Sequence, residues 1–133
     1  MGITKDCKQL IAEARDRIRT LTLDEAKAKL NDPNVTFIDI REAHERENDG
    51  AIPSAFHAPR GMLEFLVDPA SQAHNDVFSS GNEFVLYCAS SGRSSLATAT
   101  LQDMGLSPVA HIEGGFKAWK QAGLPIEQVA SSK

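Results

Sequence analysis

The chain has 133 residues, the size of one ordinary domain. Hydrophobic residues make up 41% and charged residues 24%, enough for a core that needs no metal or disulfide staple. A net charge of −4 with no basic run speaks against nucleic acid, and no apolar run is long enough for a membrane helix. The two cysteines, Cys7 and Cys88, exclude a disulfide framework and a cysteine-rich metal site.

Met1 to Gln9 holds Lys5, Asp6 and Lys8 and no apolar stretch, unlike a secretory signal. Asp6, Glu13 and Asp16 are unlike a mitochondrial transit peptide. The expected location is cytoplasmic, where Cys88 stays a free thiol. Cys7, Leu10, Ile11, Ala14 and Ile18 recur at helical spacing and predict an amphipathic helix that packs on the domain or on a partner. Cys7 lies on that stripe and reads as a small buried hydrophobe. Residues 1–20 are thus expected to be a helical extension, 21–128 the domain, and 129–133 a frayed tail.

Thr22 or Asp24 is placed to cap a short helix before the turn Asn31-Asp32-Pro33-Asn34. Val35–Ile40 is a β-branched run that predicts a buried strand. A short helix over 43–48 follows, then an extended stretch from Ile52 to Pro59 and a helix over 61–67. Phe84–Cys88 is a second apolar strand, Ser94–Met104 a helix closed by Gly105, and Pro108–Ile112 a third strand. Gly114-Gly115 turns the chain into a last helix that ends before Gly123 and Pro125, with Phe116 and Trp119 as core residues. Strands alternating with helices predict an α/β fold with a mostly parallel sheet.

In such sheets chemistry gathers at the carboxyl ends of the strands. Cys88 ends the most apolar strand, and Ala89-Ser90-Ser91-Gly92-Arg93 leads directly into a helix. The first amides of a helix have no internal partner, and the dipole adds positive potential there. A loop of small residues can turn its N–H groups inward as an anion cradle, and Arg93 adds a full charge. Such a cradle favours the thiolate, the nucleophilic form. The reading requires that solvent reach the sulfur. Ser94 either donates its hydroxyl to that sulfur or merely opens the helix.

Neither a second cysteine at thioredoxin spacing nor a phosphate-binding P-loop occurs, and no cofactor is implied. The histidines His44, His57, His74 and His111 show no metal-ligand spacing, and His44 and His74 read as solvated. Packing or surface is the commoner role for His57. Asp39 and Arg41 either orient the loop or form an ion pair that organises the strand end, the commoner arrangement. Arg60 is placed to attract an anion or to lie in solvent. Met62-Leu63-Glu64-Phe65-Leu66 either rims the pocket or packs on the sheet.

Cys88-x-x-x-x-Arg93-Ser94 after an apolar strand, with Asp39-Ile40-Arg41-Glu42 upstream, resembles a single-domain rhodanese. Gly50-Ala51-Ile52-Pro53-Ser54-Ala55, Gly114-Gly115-Phe116-Lys117-Ala118-Trp119 and Gly123-Leu124-Pro125 extend the resemblance from about Leu21 to Glu127. It implies a central, mostly parallel sheet of about five strands flanked by helices, and sulfurtransferase chemistry. Cys88 would take the sulfane sulfur of a small anionic donor such as thiosulfate, become a persulfide, and pass the sulfur to cyanide or to a thiol, including a protein thiol. Ala89, Ser90, Ser91, Gly92 and Ser94 would hold the donor and the persulfide, with Arg93 assisting. Family relatives that act on phosphate carry one more residue between Cys and Arg, so this spacing implies sulfur over phosphate or arsenate. Ser91 stands where many members have glycine, so a positive φ there would be strained. The alternative on the same fold is a persulfide carrier or interaction module that docks through the N-terminal helix.

Overall fold

The computed structural model describes residues 2–131. Met1, and Ser132 and Lys133 of the expected tail, lie outside the described residues, and Val129–Ser131 form no helix or strand. The strands are β1 (Arg19–Leu21), β2 (Val35–Asp39), β3 (Phe56–His57), β4 (Glu83–Tyr87) and β5 (Val109–Ile112). They form one sheet in the order β1-β5-β4-β2-β3, with every neighbouring pair parallel. The helices are α1 (Cys7–Arg15), α2 (Leu23–Ala28), α3 (Ala43–Asp49), α4 (Leu63–Val67), α5 (Gly92–Asp103) and α6 (Gly115–Gln121).

Strand periodicity assigns the two faces of the sheet. Phe84, Leu86 and Cys88 point to one side, where they pack with Ala97 and Leu101 of α5 and Leu63 and Val67 of α4. Val85 and Tyr87 point to the other, against Ala26 of α2 and Phe116 and Trp119 of α6. Burial on both faces explains why β2, β4 and β5 read as continuous apolar runs rather than as alternation. Thr22 starts α2 with a capping box, its hydroxyl accepting from Glu25 N–H while the Glu25 carboxylate accepts from Thr22 N–H.

Three expectations are corrected. Arg19–Leu21, which carries no strand signal, is an edge strand, because β5 supplies the hydrogen-bonding partner that so short a segment cannot announce. Helix α1 ends at Arg15, so Ile18 lies outside it, and Cys7 is exposed rather than buried. The helix meets α5 through Ile11, which reaches Gly92, and through the buried Ala14, whereas Cys7 stands at its first residue. His74 is not solvated: its side chain is 14% exposed and bonds to Ser79 Oγ.

Candidate active site

β4 delivers Cys88 to the carboxyl end of the sheet, where the loop 88–91 turns back over its own sulfur. Ser91 N–H donates to Cys88 Sγ at 3.2 Å, and Ser94 N–H donates at 3.3 Å. Ser91 has φ +88°, a left-handed conformation that a non-glycine residue adopts at a cost. That turn lets the amide of the loop and the first free amides of α5 face the same point.

The loop's carbonyls are drawn the other way. Ser91 C=O accepts from Ser95 N–H, Ser95 Oγ and Ser94 Oγ. Cys88 C=O and Ala89 C=O accept from the first amides of α6, Phe116 N–H at 2.8 Å and Lys117 N–H at 3.0 Å. The loop therefore hangs between two helix starts, one offering amides to the sulfur and the other binding the carbonyls behind it. Gly115 makes this approach possible: a Cβ there would stand 2.7 Å from the Cys88 and Ala89 carbonyl groups, at φ +64°.

Beneath the loop lies a buried charged knot. Asp39 accepts from Arg41 Nε and Nη2, from Arg46 Nε and from Tyr87 Oη, all within 3.0 Å. Arg41 also donates to Gly50 C=O, and its guanidinium lies 4.2 Å from the Phe116 ring centroid. Burial, and then the charge of Asp39, push the Tyr87 phenol well above its ordinary range. Asp39 and Arg41 thus tie β2, α3, β4 and α6 together; neither is seen in contact with the Cys88 sulfur. His57 Nε2–H donates to Arg41 C=O at 2.7 Å, and His44 is exposed.

The remaining residues named from sequence are placed differently from one another. Arg93 makes a two-pronged pair with Glu45, at 2.9 and 2.8 Å. The guanidinium holds the Glu45 carboxyl down to about 2. Much of Arg93's charge is therefore answered before it reaches the sulfur. Ser94 bonds to Cys88 through its N–H, while its hydroxyl goes to Ser91 C=O and to His111 Nδ1. Ser90 is exposed, and Ala89 and Gly92 are half-buried. Arg60 pairs with Glu64 at 2.8 Å, and Met62 and Phe65 are exposed beside it.

One finding departs from the sequence reading, and a second adds to it. Cys88 is 1% exposed, so the sulfur stands closed from solvent, contrary to the requirement set above. Two surface cavities of about 410 Å³ open near Phe78 and near Pro108, and Cys88 lines neither. His111, which sequence left unassigned, lies fully buried next to Ser94. The signal was a polar residue inside the apolar run Val109-Ala110-His111-Ile112, where no solvent is available to it.

The family model of the rhodanese-like domain matches residues 22–122. The chain belongs to the rhodanese-like family. A solved Rhodopseudomonas palustris protein, described as a possible tyrosine phosphatase, is 49% identical with a TM-score of 0.92, covering 96% of this chain and 98% of that one. The Wolinella succinogenes polysulfide-sulfur transferase shares the fold, with 24% identity, a TM-score of 0.69, and coverage of 92% and 88%. Among curated relatives, an uncharacterised Synechocystis protein is 37% identical over 68% of this chain and 46% of its own length. The Escherichia coli tRNA uridine(34) hydroxylase is 30% identical over 81% of this chain and 31% of its own. The rhodanese-like chain therefore spans less than half the length of these curated relatives. Family membership supports a sulfurtransferase-type or related function.

Proposed function

We propose that this rhodanese-like protein is a sulfurtransferase that uses Cys88 as its nucleophile and thiosulfate, or a similar small anion, as donor. The observation that carries the reading is the convergence of Ser91 N–H and Ser94 N–H on Cys88 Sγ. Donors aimed at one sulfur stabilise it as thiolate and as persulfide. In the first step the Cys88 thiolate attacks the outer sulfur of thiosulfate. A new S–S bond forms, the old one breaks, and sulfite leaves with its electron pair. In the second, cyanide or a thiolate attacks the outer persulfide sulfur, and the Cys88 thiolate is the leaving group. Thiocyanate or a new persulfide is the product, with no net redox change in the protein. Arg93 and Arg60 would attract the anionic donor by charge, each tempered by its own glutamate.

The closed sulfur counts against attack from the arrangement as it stands. The reaction requires the loop that follows Cys88 to yield, and its Ser90 already meets solvent. Intact mass spectrometry after incubation with thiosulfate tests the reading. A gain of one sulfur atom is expected in the wild type and in Cys7→Ser, with none in Cys88→Ala. Thiocyanate formation on adding cyanide separates a turning-over enzyme from a carrier. No sulfur gained, combined with aryl-phosphate hydrolysis that Cys88→Ser loses, would replace the reading with a phosphatase.

A further inference from the structure

We propose that His111 is a positioning residue for the Cys88 loop, acting through the hydroxyl of Ser94. His111 sits in β5 on the face that α5 covers, and it is fully buried. An aliphatic residue would fill that place without desolvating an imidazole. Both ring nitrogens are instead engaged: Nδ1 with Ser94 Oγ at 2.9 Å, and Nε2 with Thr20 Oγ1 of β1 at 2.9 Å. Burial, reinforced by the charge of Arg15, holds the ring's pKa down to about 4, so at neutral pH the imidazole is uncharged. A neutral ring offers one donor and one acceptor, which the two hydroxyls match.

Ser94 is the element that gives this contact consequence. Its N–H is one of the two donors on Cys88 Sγ. Its hydroxyl also reaches the carbonyl of Ser91, the residue that supplies the other donor. Fixing the Ser94 side chain therefore fixes the first turn of α5 and the strained Ser91 together. Both amides that face the sulfur are one hydroxyl removed from His111. The other ring nitrogen only ties β5 to the edge strand β1, a structural contact. The two roles can be separated by side-chain length. An asparagine amide occupies the place of Nδ1 and can bond Ser94, whereas a glutamine amide reaches the place of Nε2 and can bond Thr20.

The assignment rests on Cys88 being a reactive thiol, as in the function proposed above, but it is read without any sulfur donor. The experiment measures the rate at which iodoacetamide alkylates Cys88 in a Cys7→Ser background, by intact mass, with circular dichroism to verify folding. His111→Ala and His111→Gln are expected to slow alkylation about tenfold, the scale of one hydrogen bond lost from the loop. His111→Asn is expected to restore most of that rate. The reverse order, with glutamine restoring and asparagine failing, overturns the proposal, as do equal rates in all variants. Ser94→Ala reads the same link from its other end and decides the matter should the His111 variants not fold. It should slow alkylation equally and add nothing on top of His111→Gln, and an unchanged or fully additive rate overturns the proposal. A wild-type Cys88 that resists alkylation removes both this assignment and the sulfurtransferase reading. Alkylation without sulfur uptake removes only the latter.

Discussion

Gly115→Ala probes the contact that suspends the Cys88 loop from α6. The new Cβ would lie 2.7 Å from the Ala89 carbonyl carbon and oxygen and from the Cys88 carbonyl oxygen. That is about 0.5–1 Å short of ordinary contact, and backbone cannot rotate aside as a side chain can. Relief requires the loop and the helix to part, which stretches Phe116 N–H···O=C Cys88 and Lys117 N–H···O=C Ala89 from 2.8 and 3.0 Å. Each lost bond costs about 1 kcal/mol, and a left-handed alanine costs about 1 kcal/mol more. The total is about 3 kcal/mol. Gly105→Ala is the control: it too has positive φ, +93°, but its Cβ would meet nothing within 4 Å. Both variants gain the same unfolded-state benefit from losing a glycine, so the comparison cancels it. Urea denaturation at 25 °C should place Gly115→Ala about 2 kcal/mol below Gly105→Ala. Stabilities within about 0.5 kcal/mol of each other would refute the account of the loop's suspension.

Two further predictions address charge. Glu45→Gln removes the carboxylate that engages Arg93 and releases its cation toward the loop. The KM for thiosulfate should then fall in a sulfur-transfer assay, and an unchanged KM would show that Arg93 does not help bind the donor. His111 titrates at about 4 in the folded chain, against an ordinary value of 6.5. The unfolded state therefore binds the proton first, and stability is lost as pH falls from about 6.5 to about 4, by about 3 kcal/mol at the lower end. Urea titrations across that range should show the wild type losing about 3 kcal/mol more than His111→Asn, since the loss from the carboxylates is common to both.

Much of the architecture was readable because burial on both faces makes β2, β4 and β5 predominantly apolar, with few polar residues among them. The small-residue loop at the end of β4 was readable for the same reason, since its strand and its helix are both strong signals. Strand β1 was not, because its three residues gain strand character only from β5, whose partner residues lie 91 positions away. The Arg93–Glu45 pair, 48 positions apart, left no local trace either, so Arg93 read as a free cation. Ser91 carried a usable hint: a serine where a left-handed turn is needed marks strain in advance, and its φ is +88°. The closure of the sulfur was invisible, because exposure of a loop is decided by how far it folds back and not by its composition.

The order of the strands has a consequence for how the protein tolerates crowding. Its two margins are β1 and β3, of three and two residues, while the five-residue strands β2 and β4 lie inside. Unpaired margins are where foreign chains zip onto a sheet and seed fibres. An invading segment would find a foothold of only two or three residues on either flank, too little to hold it.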